Sequence, residues 1–160
     1  MPDVYVAAGS NIDPVNRLGQ ALTALKEHYG TITASRAYRN KAVGFSGADF
    51  INLVVCFATD EALDQVLAVL HAIEEQCGRP RAAPKWAPRA MDLDVLLYGE
   101  KVGMFPGLTL PRPDLVRRPY MLGPMAEIAP DVIHPVLKKT MQQLWDEFDR
   151  AGHAMEEVEL

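Results

Sequence analysis

Apolar positions along this chain recur at two spacings. Val4 to Ala8 is a short apolar run that stops at Gly9-Ser10-Asn11, which predicts a strand followed by a turn. Asp13-Pro14 offers an N-cap and a first-turn proline, and Leu18, Ala21, Leu22 and Leu25 follow at helical spacing until Gly30 closes the helix. Ile32 to Tyr38 has the alternation of a strand, residues 39–49 form a Gly-containing loop, and Phe50 to Thr59 is a strong strand. Asp60 caps a second expected helix with Leu63, Val66, Leu67, Leu70 and Ile73 on its apolar stripe, ended by Gly78. Met91 to Tyr98 is the next strand, before a Gly99-Glu100 turn.

The resulting order, β-α-β-β-α-β, predicts an α+β fold: a ferredoxin-like sandwich with both helices on one face of an antiparallel sheet. The last third carries Pro106, Pro111, Pro113, Pro119, Pro124, Pro130 and Pro135, and is expected to wrap the core as a C-terminal extension. Helices are expected near Tyr120–Ile128 and from about Thr140 to Arg150. With no repeat and no linker, residues 1–160 are expected to form a single domain.

Composition narrows the function classes. A net charge of −5 argues against general nucleic-acid or anionic-membrane binding. The cations are clustered instead: Arg79, Arg81, Lys85 and Arg89, then Arg112, Arg117 and Arg118, which suits a small anionic ligand. Two cysteines are too few for a zinc site, and Cys56 sits in an apolar run as a small buried hydrophobe. Without a basic, then apolar N-terminal stretch or a membrane-length apolar run, a soluble cytoplasmic protein is expected. A monomer is expected as well.

The chemistry concentrates between Glu74 and Asp94. On a strand, Met91, Leu93, Val95 and Leu97 face one way, and Asp92, Asp94 and Leu96 the other. Carboxylates one strand repeat apart, roughly 6–7 Å, repel unless a cation lies between them. An isolated Asp-x-Asp usually marks a solvated face. Here a loop with Arg79, Arg81, Lys85, Trp86 and Arg89, stiffened by Pro80, Pro84 and Pro88, runs straight into the pair. The combination predicts hard divalent cations held beside a polyphosphate. No Gly-x-x-x-x-Gly-Lys motif is present, so phosphate must be held by side-chain cations and metal.

The segment Gly78-Arg-x-Arg…Trp86-x-Pro-Arg89-x-x-Asp92-Leu-Asp94 closely resembles the signature of the 6-hydroxymethyl-7,8-dihydropterin pyrophosphokinases of folate biosynthesis. The match extends to Gly9-Ser10-Asn11, Val43-Gly44, Phe50-x-Asn52, Leu110-Pro111-x-Pro113, Arg118 with Tyr120, Glu127-Ile-Ala-Pro130 and His134-Pro135. The resemblance implies transfer of pyrophosphate from ATP to the primary alcohol of a reduced pterin, with release of AMP. Carried over by position, Asp92 and Asp94 would hold two Mg²⁺ ions, and Arg79 and Arg89 would grip the transferring phosphates. His71, Glu74, Arg81, Lys85, Trp86, Arg89, Val95, Thr109, Arg112 and Arg118 would meet ATP. Asn40, Val43, Phe50, Asn52, Asp92 and Tyr120 would form the pterin pocket, with Phe50 and Tyr120 stacking on the heterocycle and Asn52 meeting its pyrimidine edge.

The chain departs from the family pattern at Arg112, where histidine is frequent, at Asn40-Lys41, where Thr-Pro is frequent, and at Lys85, where arginine is common. Three rival readings stay open on these residues. One is a relative that binds nucleotide and a related pterin without this catalysis, another a metal-dependent phosphohydrolase, and the third a ferredoxin-like RNA-binding module. The last lacks the expected aromatic and basic sheet pattern.

Overall fold

A computed structural model describes residues 1–40, 49–77, 91–149 and 155–160. In chain order the elements are β1 (Asp3–Ser10), α1 (Pro14–Tyr29), β2 (Ile32–Ala34), β3 (Ala37–Asn40), β4 (Phe50–Ala58), α2 (Leu63–Gln76) and β5 (Asp92–Tyr98). They continue with β6 (Gly103–Phe105), β7 (Leu108–Leu110), a 3₁₀ turn at Pro113–Val116, α3 (Pro119–Ile128), α4 (Met141–Glu147) and β8 (Glu156–Val158). The main sheet runs β5-β1-β4-β3-β8, with β2 also on β4, and every pairing is antiparallel. Each long helix joins strands that have one other strand between them: α1 passes over β4, and α2 over β1. That is the expected ferredoxin-like sandwich.

The alternation along the strands feeds two cores. Val4, Val6, Ala8, Leu53, Val55, Phe57, Leu93 and Val95 pack under Leu18, Ala21 and Leu25 of α1 and Val66, Leu70 and Ile73 of α2. On the opposite face, Tyr5, Ala7, Val54, Leu96 and Leu97 meet Leu115, Met121, Leu122, Met125 and Met141. The Pro-rich third therefore covers the second face of the sheet instead of leaving it to solvent.

Several local expectations change. Gly9 and Ser10 do not turn; β1 runs through both. The strand expected over Ile32–Tyr38 is broken at Ser35-Arg36. There Ser35 donates its N–H to the Val54 carbonyl (2.8 Å), its hydroxyl accepts from Val54 N–H (2.9 Å), and the same hydroxyl donates to the Arg36 carbonyl (2.8 Å). A side chain that bonds its own backbone competes with the ladder. Leu97 shares a face with Leu96, not with Val95, because the β1–β5 register shifts between Tyr5 and Val6.

The helix ends differ too. Asp13 precedes α1 in a left-handed conformation (φ 47°) and its carboxylate binds the Asn16 amide instead of a backbone N–H. Asp60 does not cap α2; Ala62 does, with its N–H held by Gln65 Oε1 at 2.9 Å. The expected Gly78 stop lies outside the described residues, where Cys77 is the last position of that end. Thr140 caps α4 as its position suggests, but the helix ends at Glu147, short of Arg150. Both cysteines are free; burial raises both thiols, Cys56 to about 11. No helix among the described residues is long and apolar enough to cross a membrane.

One ion pair joins α1 to the loop before α2: His28 Nε2 lies 2.9 Å from Glu61 Oε2. Burial pushes the Glu61 carboxyl up, but the His28 hydrogen bond and charge, with the nearby Tyr29 hydroxyl, outweigh it, so it titrates below the ordinary carboxylate range. A carboxyl lowered on folding stabilises the fold above its unfolded pKa, about 4.3, and loses that contribution as pH falls through the folded value. Glu61→Gln is therefore expected to lower Tm near neutral pH, with the gap to the parent closing as pH drops below about 4. A gap that persists unchanged in acid would show that the Glu61 charge plays no part.

Candidate active site

Among the described residues, the second face of the sheet is left open at one end of β1. Along that face β1 presents Tyr5, Ala7 and then Gly9, so its side chains shrink toward that end. Register does the rest. Gly9 pairs with Asp92 on one side and Asn52 on the other, and Ala7 pairs with Asp94 and Val54. Asn52 in turn pairs with Tyr38, and Phe50 with Asn40. Asp92, Gly9 and Asn52 thus form one row across three strands, which sets Asp92 and Asn52 about 10 Å apart at the backbone.

A cavity of about 230 Å³ sits over this row, lined by Ala7, Gly9, Asn40, Phe50, Asn52, Asp92, Asp94, Tyr120 and Met121. Its floor is the hydrogen side chain of Gly9 and the methyl of Ala7. Its acidic wall is Asp92 and Asp94, its amide and aromatic wall Asn40, Asn52 and Phe50, and its roof Tyr120 and Met121 from the start of α3. The Asn52 amide donates to Asn40 Oδ1, which presets the orientation of both amides. Asn52 is only 8% exposed, so its polar atoms need such partners. Burial raises the Tyr120 phenol, with the Asp114 and Asp94 carboxylates adding to it against Arg118 and Arg112, so it stays a hydrogen-bond donor at neutral pH.

Arg112 stands beside the acidic wall. Its guanidinium lies 3.6 Å from Asp94 Oδ1 and 3.5 Å from Asp114 Oδ2, and its N–H bonds the Leu96 carbonyl on the outer edge of β5. Arg112 and Thr109 line a second, shallower and largely apolar groove with Met104, Val116 and Leu137. Arg118 precedes α3, half-buried and close enough for its charge to act on Tyr120.

The nucleotide candidates on α2 separate. His71 is exposed, whereas Glu74, one turn on, is 5% exposed and accepts the Leu93 N–H at 2.9 Å. Leu93 lies on the edge strand of the sheet, where an N–H would otherwise lack a ladder partner. One oxygen of Glu74 therefore holds β5, the strand that carries both aspartates. The Val95 side chain points into the core beneath the helices, which leaves it only main-chain groups to offer a nucleotide. Arg79, Arg81, Lys85, Trp86, Arg89 and Val43 lie outside the described residues.

Three things escape a reading of the residues alone. Ala7 and Gly9 form the cavity floor, although only their small size hints at it. Met121 completes the roof, and Asp114 shares Arg112 with Asp94.

Residues 5–130 match the family model described as 7,8-dihydro-6-hydroxymethylpterin-pyrophosphokinase. The chain belongs to that family. It is an ATP-dependent pyrophosphokinase of folate biosynthesis. A 2-amino-4-hydroxy-6-hydroxymethyldihydropteridine pyrophosphokinase from Aquifex aeolicus is 33% identical over 145 residues, 89% of this chain and 90% of the relative. One of the same name from Synechocystis is 38% identical over 147 residues, 90% of this chain and 75% of the relative. Among solved structures, wild-type Plasmodium falciparum HPPK-DHPS shares the fold with a TM-score of 0.71 at 15% identity, over 91% of this chain and 44% of that one. The sequence resemblance and the observed fold thus agree.

Proposed function

We propose that the cavity over Gly9 takes the reduced pterin 6-hydroxymethyl-7,8-dihydropterin, and that Asp92 and Asp94 hold two Mg²⁺ ions with the ATP phosphates beside it. The observation that carries this reading is the sheet register. It sets two carboxylates and an amide-aromatic pair on opposite walls of one small cavity. At about 230 Å³ the cavity is smaller than the roughly 300–1,000 Å³ usual for drug-sized ligands, so it suits one bicyclic heterocycle without a nucleotide. The nucleotide then lies outside it, on the side of Asp94 and Arg112.

The donor set fits magnesium. Mg²⁺ takes oxygen ligands, keeps several waters, and is commonly held by one or two carboxylates plus substrate phosphates. Among the described residues no group of three or more His, Cys, Asp or Glu converges, and this reading needs only the pair. Bound there, the metal supplies charge neutralisation on the phosphates and a template for alignment.

The chain's own groups do the remaining work in this reading. Phe50 and Tyr120 take the faces of the ring, while Asn52 and Asn40 read its pyrimidine edge. With the ring so fixed, its hydroxymethyl oxygen is directed toward the acidic wall for in-line attack on the β-phosphorus of ATP, with AMP leaving. Arg112 adds positive charge next to Asp94. Arg79, Arg89, Arg81 and Lys85 hold phosphate and Trp86 helps seal the site. Thr109, Arg118, His71 and the Val95 main chain meet the nucleotide, and Glu74 supports them by fixing β5. Val43 completes the pterin edge. The unit is a single domain over residues 1–160, a view supported by β8 joining the same sheet as β1, and it acts as a monomer.

The direct test supplies ATP, Mg²⁺ and 6-hydroxymethyl-7,8-dihydropterin and follows nucleotide products. The expected outcome is AMP formed only when the pterin is present, with no ADP. ATP hydrolysis at the same rate without pterin would overturn the reading.

A further inference from the structure

The break between β2 and β3 leaves the Arg36 N–H without a strand partner, and Glu127 takes it. Glu127 lies on α3, seven residues after Tyr120, so the two side chains share a helix face about 10 Å apart along the axis. One carboxylate oxygen accepts the Arg36 N–H at 2.7 Å, and the other accepts the Tyr38 hydroxyl. Both donors belong to the β3 arm. Tyr38 pairs with Asn52, and Asn40, two residues on, pairs with Phe50 and accepts the Asn52 amide. Glu127 therefore links the helix that carries the roof of the cavity to the strand that carries its amide wall.

The rest of β3 is held from its other side. Ala37, Tyr38 and Arg39 pair with β8, and Arg36 Nη1 lies 3.2 Å from Glu157 Oε1. A carboxylate is suited to the task, because bonds from N–H or O–H to a charged acceptor are roughly twice as strong as neutral ones. Glu127 is exposed, yet both of its oxygens are committed to β3. Burial and the hydrogen bond to Glu127 together raise the Tyr38 phenol to about 12, which keeps it a donor throughout the physiological range.

We propose that Glu127 is a positioning residue for the acceptor: it sets the spacing between Tyr120 and the Asn40–Asn52 pair, and so selects the pterin without touching it. This rests on the assignment of the cavity to the pterin. Nothing in it concerns the acidic wall or ATP, so the two substrates are expected to respond differently.

The test measures KM for each substrate, kcat and Tm in Glu127→Ala, Glu127→Gln and Tyr38→Phe, with Asn52→Ala alongside. Misplacing a binding group by a fraction of an ångström weakens binding substantially, so Glu127→Ala is expected to raise the pterin KM about tenfold. The ATP KM should stay within about twofold, as expected of a group that acts on one substrate only. Glu127→Gln keeps one acceptor oxygen and should fall between parent and Ala. The Tyr38→Phe effect should be absorbed when combined with Glu127→Ala, since the two lose a shared bond. Equal rises in both KM values, or a fall in Tm with unchanged pterin KM, would reduce Glu127 to a structural brace and overturn the proposal. If Glu127→Ala does not fold, Tyr38→Phe carries the same test. If Asn52→Ala leaves the pterin KM unchanged, the cavity assignment fails and takes this proposal with it. If Asn52→Ala raises it and neither Glu127→Gln nor Tyr38→Phe does, only the positioning role fails.

Discussion

Asp94→Ala is expected to reduce pterin-dependent AMP formation by on the order of 10³-fold, the scale seen when a preorganised charge-stabilising group is removed from a reacting centre. The physical basis is its place on β5. Asp94 is paired with Ala7, faces the cavity beside Asp92, and has the Arg112 guanidinium at 3.6 Å. Its side chain is 36% exposed, so truncation leaves no core cavity and the fold should survive. Loss of the carboxylate removes half of the proposed metal site and leaves Arg112 to Asp114. The pterin KM should change little, because the proposed ring contacts at Phe50, Asn52 and Tyr120 do not involve Asp94. The decisive measurement is the Mg²⁺ dependence of the rate in parent and variant, with tryptophan fluorescence or circular dichroism as the folding control. Full activity at ordinary Mg²⁺ would remove Asp94 from the metal site.

Gly9→Ala should act on the opposite substrate. A Cβ at Gly9 would lie 2.5 Å from Asn52 Oδ1 and 3.5 Å from its Cγ. Gly9 sits in regular strand, so the requirement is for space and not for an unusual backbone angle. The Asn52 amide can escape only by rotating, and rotation breaks its bond to Asn40. The methyl would also occupy part of the cavity floor. The expected result is a pterin KM raised about 10- to 100-fold, the range that follows when a positioning group is displaced by about an ångström. Tm should fall by only a few degrees, since one methyl at the rim strains a single side chain. Isothermal titration with the pterin alone checks this directly. Unchanged affinity would show that Asn52 does not read the acceptor from the observed rotamer.

These two expectations separate cleanly because the two walls of the cavity were legible to different degrees. Period two placed Asp92 with Asp94, and Phe50 with Asn52, on common faces, and both pairings hold. The order of elements was legible for the same reason: apolar spacing at 2 and at 3.6 is local. What failed locally was also physical. Leu97 changes face because Leu96 is an extra residue against β1, and a bulge depends on the partner strand. Asp60 loses its capping role to Ala62 because Gln65 supplies the bond from inside the helix. Glu74 keeps its place beside the expected nucleotide, but its burial and its bond to Leu93 follow from the edge position of β5, which no spacing within α2 announces.

By itself the sequence determined the chemistry available: two carboxylates one strand repeat apart, a cationic loop before them, an aromatic and an amide on a separate strand, and a family signature that names their use. Only the tertiary structure decided that the carboxylates, the aromatic and the amide share one cavity. Strand register is a long-range property, set by which faces bury their apolar stripes and not by any local preference. Here it lines up Asp92, Gly9 and Asn52 across three strands that are distant in sequence. It makes a glycine the floor between acid and amide, while the bonds of Arg36 and Tyr38 to Glu127 tie α3 to β3.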